Sequence, residues 1–313
     1  MLRLRTMFSL LCMVIMLPWI PVNAEEPTEP PLLVIDAKQK DGFPKQFRTM
    51  QDALKHDADT MPSVQGLEKL HASGSAAFSE KSLRAIKEKE TGKNIVVVDL
   101  RQEPHGYVNG IAISWYGYKN AVNEGKTADE IDSDEESRLA AIKAIIGQEL
   151  GLASIHEKSD GMITNFTTIP VTVEQVESEK AMVQSLGMGY QRFPVQDHTR
   201  PSDAQVDGYV AFIRNLPENS WIHAHCRGGK GRTTTFLAVY DMMQNAKDVS
   251  LEDIIARQYL LGGSDLFKES NEEYKAREAR EREALVRNFY RYAKENTDGF
   301  KTSWSAWLKQ QKE

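Results

Sequence analysis

Cys226 and Arg232 are separated by five residues in the run Trp-Ile-His-Ala-His-Cys-Arg-Gly-Gly-Lys-Gly-Arg-Thr-Thr-Thr at 221–235. Those types at that spacing describe a site for a tetrahedral oxyanion. Gly228, Gly229 and Gly231 let backbone N–H groups turn inward around an anion, and a helix starting directly after them adds unsatisfied donors and the positive end of its dipole. The Arg232 guanidinium offers a planar fork to two phosphate oxygens. A thiol over such a nest is expected to favour the thiolate, which makes Cys226 the candidate nucleophile of a loop that both binds and attacks phosphate. His225, just before the cysteine, can orient the loop by hydrogen bonding. Thr233 can donate its hydroxyl to the sulfur as the sulfur leaves.

Thiolate attack on a phosphate monoester expels an alkoxide, and an alkoxide needs a proton as the bond breaks. Asp197, 29 residues before the cysteine, is the candidate acid; as carboxylate it can then activate the water that hydrolyses the phosphocysteine. Asp203 and Asp207 are rivals, but both fall inside the following helix. His198 is placed to contact a neighbouring phosphate. His223 reads as a packed histidine with satisfied nitrogens.

The elements that must position these groups follow an α/β pattern. Asn94 to Leu100 is an unbroken apolar run, the mark of a strand buried on both faces, and Gly189 to Val195 and Trp221 to Cys226 read as further strands. Asp197 lies in a polar loop between Gly189–Val195 and a helix capped by Ser202, which carries Val206, Tyr209, Val210 and Ile213 on one side. Gly231 to Asn245 is predicted as the helix that closes the phosphate loop. Leu32 to Ile35 reads as a first strand and Ser79 to Lys89 as a short helix. Asn109-Gly110 splits Tyr107–Tyr118 into a hairpin, an acidic run at Asp129–Glu136 precedes a predicted helix from Glu136 to Leu150, and Met162 to Val173 is β-like. From Ser250 the chain reads as helical to its end, with Phe300, Trp304, Trp307 and Leu308 as core positions.

The chain has 313 residues, of which 41% are hydrophobic and 27% charged, enough for one sizeable core. Residues 1–24 read as a cleaved signal peptide: Arg3 and Arg5 lead a 14-residue apolar run from Met7 to Ile20, too short for a comfortable membrane span, and small residues close it at Val22-Asn23-Ala24. Residues 25–42 are read as a tether and first strand, and 43–313 as the catalytic domain, with a small β insert drawn from about 101–178. Cleavage removes Cys12, leaving Cys226 as the single thiol of an exported chain, periplasmic or secreted, with no internal disulfide. It also removes Arg3 and Arg5, so the net charge moves from −6 to −8. An acidic body argues against nucleic acid or, after cleavage, membrane as partner, and a polyanionic substrate must be drawn in by a local basic pocket.

These residues together resemble the cysteine-dependent phosphatases of the protein-tyrosine-phosphatase superfamily, and among them most closely the bacterial phytases, which are inositol polyphosphate phosphatases. The resemblance spans about residues 47–308 and rests on Phe47-Arg48, Asp99-Leu100-Arg101-Gln102-Glu103 with His105-Gly106, Ser114-Trp115-Tyr116, Asp197-His198, 225–235, Arg257-Gln258 with Gly262-Gly263, Phe289-Tyr290-Arg291-Tyr292, and Trp304. It implies a phosphatase core with a central sheet flanked by helices and a small partial β-barrel insert, with Arg48, Asp197, His198 and the basic C-terminal helix lining the pocket. Lys275 matches a substrate-contacting lysine of the family, Arg282 replaces another, and Ala279 stands where a tyrosine is expected.

The loop itself departs from the usual pattern. Arg227 and Lys230 give it a Cys-Arg-Gly-Gly-Lys-Gly-Arg sequence similar to the basic loop of the phosphoinositide 3-phosphatases, and two extra cations favour a substrate with several phosphates. The expected activity is stepwise hydrolysis of myo-inositol hexakisphosphate through a phosphocysteine, with neither metal nor cofactor. A tyrosine or dual-specificity protein phosphatase and a phosphoinositide phosphatase are the alternatives. A sulfurtransferase has no use for Asp197, and a non-catalytic polyphosphate-binding module has no use for nucleophile, arginine, threonine and acid together. The sequence leaves the oligomeric state open.

Overall fold

The structure is a computed structural model; it describes residues 30–55 and 60–311, so the predicted signal peptide lies outside the described residues. In chain order the elements are β1 (Leu32–Ala37), β2 (Arg48–Thr49), β3 (Ala72–Ser75), α1 (Glu80–Lys89), β4 (Asn94–Arg101), β5 (His105–Val108), β6 (Ile111–Tyr116), α2 (Ala128–Lys143), β7 (Glu149–Ser159), β8 (Met162–Thr172), β9 (Val176–Glu177), α3 (Glu179–Ser185), β10 (Gly189–Val195), α4 (Asp203–Arg214), β11 (Ser220–His225), α5 (Gly231–Asn245), α6 (Leu251–Leu260), α7 (Glu273–Glu295) and α8 (Trp304–Gln310).

Two sheets organise them. The central sheet has the order β10-β4-β11-β3-β2, with parallel pairing from β10 to β3 and antiparallel β2 at the edge. Alternation along β4 sends Val98 and Leu100 into the larger core, shared with α4 to α8, and Ile95 and Val97 into a second core under α1 and α3. Both faces of the strand are therefore dry, as its continuous apolar run predicted. The same alternation in β11 turns Ile222, Ala224 and, just beyond the strand, Cys226 toward the larger core. It turns Trp221 toward the other, where the His223 ring is satisfied by Ser73 and Ser75 at 2.9 and 3.0 Å.

The second sheet has the order β8-β7-β1-β6-β5-β9. Its strands come from the predicted insert except for β1, which pairs antiparallel with β6 and parallel with β7, so the N-terminal strand is built into this sheet. Helix α2 covers it with Leu139 and Ile142 against Val108, Ile113, Trp115 and Leu152. That helix begins eight residues earlier than predicted, because Thr127 and Glu130 form a capping box and the acidic run supplies its first turns. It ends before β7, and Leu150, predicted at its end, lies in that strand. The C-terminal helices are likewise interrupted: Gly262 at φ +105° ends α6, and 296–303 separates α7 from α8. Trp304 and Trp307 pack with Phe289 and Tyr292 as core residues, as expected.

Candidate active site

The loop 226–230 leaves the C-terminal end of β11 and runs straight into α5, whose start at Gly231 presents the unsatisfied donors of a helix N-terminus. Its backbone is fixed from outside. The Arg227 carbonyl accepts from the Ala77 N–H at 3.2 Å, the Gly229 carbonyl from Arg48 Nη1 at 2.9 Å, and the Lys230 carbonyl from the Thr234 N–H and hydroxyl, both at 2.8 Å. Gly229 sits at φ +67°, and a Cβ there would lie 2.4 Å from the Ala76 nitrogen, so only glycine fits. Cys226 is 3% exposed and its sulfur accepts a hydrogen bond from the Thr233 hydroxyl at 3.2 Å.

Arg232 is buried and clamped. Its Nη1 and Nη2 donate to the two Glu103 oxygens at 2.7 and 3.0 Å, Nη1 also donates to the Val195 carbonyl at 2.9 Å, and Nη2 lies 3.1 Å from Asp197 Oδ1. The fork is thereby locked in orientation. Its Nε is buried and makes no hydrogen bond within the described residues, which suits a phosphate oxygen. Glu103 is held ionised: burial pushes its carboxyl up, but Arg232 and Arg101 outweigh burial and hold it well below the carboxylate range. Arg101 in turn donates to Glu103 at 3.0 Å and to Asp36 at 2.7 Å, and Asp36 accepts from Arg227 Nε at 2.7 Å. A ladder of alternating charge thus runs from Asp36 on β1, through Arg101 and Glu103, to Arg232 at the reacting centre.

Asp197 follows β10, as the sequence places it. Oδ1 accepts from the His198 N–H at 3.0 Å, and Oδ2 accepts from the Asn120 amide at 2.9 Å. Burial raises its carboxyl, while Arg232, His198 and the Asn120 amide lower it to a net position below the ordinary value. His198 holds the uncommon φ of +70°, its carbonyl accepts from Arg282 Nη2, and its ring packs edge-on against Tyr274 at 5.7 Å. Burial, with Lys275, Arg232 and Arg282, keeps that imidazole below its usual value despite Asp197. Asp203 and Asp207 are used elsewhere: Asp203 accepts from Arg200 and Trp304, and Asp207 from the Ser305 N–H at the start of α8.

Cations surround this centre from several elements. Arg227 stacks over Tyr116 at 5.0 Å, and Lys158 from β7 lies 4.1 Å over the same ring. Desolvation of the amine over that ring, then Arg227, lowers the Lys158 ammonium to about 8, although the residue as a whole stays exposed and solvent screens the effect. Lys275 pairs with Glu272 at 2.6 Å beside Tyr274, and the Arg282 guanidinium lies close to Gly231 at the start of α5.

Three expected residues are placed differently. Arg48 does not line the pocket: it is 1% exposed and braces the loop from beneath, through Gly229, the Gln46 carbonyl and the Thr234 hydroxyl. Lys230 turns its amine to the Gly262 and Gly263 carbonyls at 2.9 and 3.3 Å, because the loop backbone directs its side chain toward the α6 end. The His225 ring points away from the sulfur to Glu179 at 2.6 Å, in a buried cluster with Asp99 and His105.

Sequence reasoning missed Asp36, Asn120 and Lys158. Asn120 sits in the turn after β6 with φ +60°, where Asn is one of the few side chains tolerated, and that turn was the available signal. Asp36 and Lys158 gave none, since both lie in strands of mixed pattern.

Comparison with known proteins agrees with this fold. The model of the protein-tyrosine-phosphatase-like phytase family, described as inositol hexakisphosphate, matches residues 98–244. A tandemly repeated protein-tyrosine-phosphatase-like phytase from Mitsuokella multacida superposes with a TM-score of 0.82 at 39% identity, covering 91% of this chain and 50% of that one. A phytase of the same type from Bdellovibrio bacteriovorus gives 0.72 at 34% identity, covering 90% and 96%. The effector protein hopD2 of Pseudomonas syringae pv. tomato is 30% identical over 284 residues, 88% of this chain and 59% of that protein. The chain therefore spans about half the length of the Mitsuokella protein and under two thirds of the Pseudomonas one. On the match over nearly the whole Bdellovibrio protein, this chain belongs to the protein-tyrosine-phosphatase-like phytase family.

Proposed function

We propose that the protein removes phosphates stepwise from myo-inositol hexakisphosphate through a phosphocysteine. The observation that carries the proposal is the clamped Arg232 fork, with Asp197 at 3.1 Å, beside a thiol that opens a helix N-terminus. One phosphate sits over Cys226, bound by loop N–H groups and Arg232. Sulfur attacks phosphorus, the bond to the ester oxygen breaks, and Asp197 gives that oxygen its proton. Asp197, now a carboxylate, takes a proton from water as the water attacks phosphorus; the S–P bond breaks, and the Thr233 hydroxyl stabilises the returning thiolate. His225 stays bonded to Glu179 and takes no part in these steps.

Preference for a polyphosphate rests on Arg227, His198, Lys275 and Arg282, with Lys158 in addition. Each charge-assisted hydrogen bond to phosphate contributes about 1.5–3 kcal/mol where it is desolvated. A complex of the Mitsuokella relative with myo-inositol-(1,3,4,5)-tetrakisphosphate supports the same substrate class. In the presence of a chelator, purified protein is expected to release phosphate from inositol hexakisphosphate with a kcat/KM at least about tenfold above that for a phosphotyrosine peptide. Equal or faster turnover of the peptide would assign the site to protein phosphatase chemistry.

Export completes the proposal and rests on the sequence of residues 1–24. Protein recovered from the periplasm or medium of a bacterial host is expected to begin at Glu25 by N-terminal sequencing. A start at Met1 would refute cleavage.

A further inference from the structure

The two carboxylate oxygens of Asp197 are held differently. Oδ1 meets two donors, the His198 N–H at 3.0 Å and Arg232 Nη2 at 3.1 Å. Oδ2 accepts one hydrogen bond from the described residues, from Asn120 Nδ2 at 2.9 Å, and the His198 ring nitrogen lies 4.0 Å from it. An oxygen that already faces two donors, one of them a guanidinium, is the poorer place for a proton. The proton that Asp197 gives to the ester oxygen therefore belongs on Oδ2, the oxygen that Asn120 touches.

The Asn120 side chain has that contact and no other among the described residues. It is 2% exposed, and its Oδ1 is buried without a hydrogen-bond partner there. A buried amide left half unpaired is destabilising, so stability alone does not account for it. The backbone that delivers it is also held against its preference: Lys119 and Asn120 take φ of +52° and +60° in succession, a conformation that L residues adopt sparingly and Asn tolerates best. Three hydrogen bonds hold the turn. The Lys119 N–H donates to the Gly161 carbonyl at the tip of the β7–β8 hairpin at 2.9 Å, and the Asn120 N–H donates to the Gly117 carbonyl at 2.9 Å. The Asn123 amide donates to the Gln102 carbonyl at 3.0 Å, next to the Glu103 that clamps Arg232. Gly161 permits the close approach of the hairpin, since a Cβ there would stand 3.2 Å from the Lys119 nitrogen and Cα.

We propose, on the reading of Asp197 as the acid, that Asn120 is its positioning residue, fixing the carboxyl plane so that Oδ2 presents its proton to the leaving oxygen. The torsion that turns a carboxyl about its Cβ–Cγ bond is broad, so a carboxyl without this amide is less narrowly aimed. A displacement of about 1 Å can slow a reaction about 10²-fold. The same N–H favours the ionised carboxyl, which suits the second step, when Asp197 takes a proton from water. Its removal should therefore misdirect the acid and also make it keep its proton to higher pH. The other groups acting on Asp197 are Arg232 from α5, Glu103 after β4, His198 in the same loop, Arg282 from α7, Lys158 from β7 and Tyr116 from β6. All of them remain when Asn120 is replaced.

The test uses the full chain with Asn120→Gly, which suits the left-handed φ and removes the amide, and with Asn120→Asp, which keeps the shape and sets a like charge beside Asp197. Turnover of glycerol 2-phosphate and inositol hexakisphosphate, both alkyl esters, is compared with that of 4-nitrophenyl phosphate across a pH series. In Asn120→Gly, kcat for the alkyl esters is expected to fall about 10- to 100-fold and for the aryl ester less than about threefold. The alkaline limb of kcat/KM should move to higher pH in Asn120→Gly and further in Asn120→Asp. Added to Asp197→Asn, Asn120→Gly should change the alkyl rate by less than about twofold. Alkyl and aryl rates that fall together with the limb in place overturn the role, as do alkyl rates unchanged in Asn120→Gly while Asp197→Asn is slow. If Asp197→Asn itself leaves the alkyl rates intact, the acid assignment fails and the role falls with it.

Discussion

Replacing Cys226 by serine is expected to lower turnover of every phosphomonoester by about 10⁵-fold or more, the scale on which removing a nucleophile acts in other covalent enzymes. The hydroxyl that results is a far weaker nucleophile than a thiolate, because serine offers no ionised form near neutral pH. Binding should survive, since the anion is held by Arg232, the helix start and the loop backbone. Rapid-quench experiments with ³²P-labelled substrate check both halves: label trapped on the unmodified protein, none on Cys226→Ser, with substrate affinity unchanged within about threefold. Residual activity above about 1% would mean that another group attacks.

Asp197→Asn is expected to slow phosphoenzyme formation from alkyl phosphates by about 10²–10⁴-fold, the usual worth of a positioned acid. An aryl phosphate with a good leaving group needs less protonation and should lose much less. The pH dependence has a definite sign. In the free protein the Asp197 carboxyl lies below its ordinary value: burial raises it, and Arg232, the largest opposing influence, more than compensates. The protonated form required for the first step is therefore lost early as pH rises, and kcat/KM should fall from the carboxylate range upward. A phosphate dianion over Cys226 draws on Arg232 and adds negative charge beside Asp197, so the carboxyl rises on binding and kcat should hold to higher pH than kcat/KM. In Asp197→Asn that limb should vanish from both profiles. An alkyl phosphate rate unaffected by the substitution would move the acid role elsewhere.

Most of the reacting centre was legible because its residues are consecutive. The run from β11 into α5 states the strand, loop and helix in one stretch, and the Thr233 hydroxyl reaches the sulfur as the spacing implied. Asp197 was legible from its place between a strand and a capped helix. Arg48 was not: an arginine in a two-residue strand carries no sign of whether it faces substrate or braces the loop, and only the fold puts it beneath Gly229. Lys230 is similar, since its position in the loop says nothing of where its long side chain ends. The α2 boundary was misread because the acidic run looked like a preamble to the helix, although the Thr127 and Glu130 pair marked the start. β7 was missed where its exposed half carries His156, Glu157 and Lys158 and shows no clean apolar alternation.

The charge ladder has a consequence for when the site comes into being. Asp36 stands near the front of the described chain and its partner Arg227 lies 191 residues later. Contacts that span so much chain form only after the intervening loop is closed. Asp197 and the Arg101–Glu103 pair also belong to stretches separate from the loop, so a growing or partly folded chain has no competent loop. Recovery of phosphatase activity during refolding should accordingly trail the recovery of helix signal, making catalysis the last property the chain acquires.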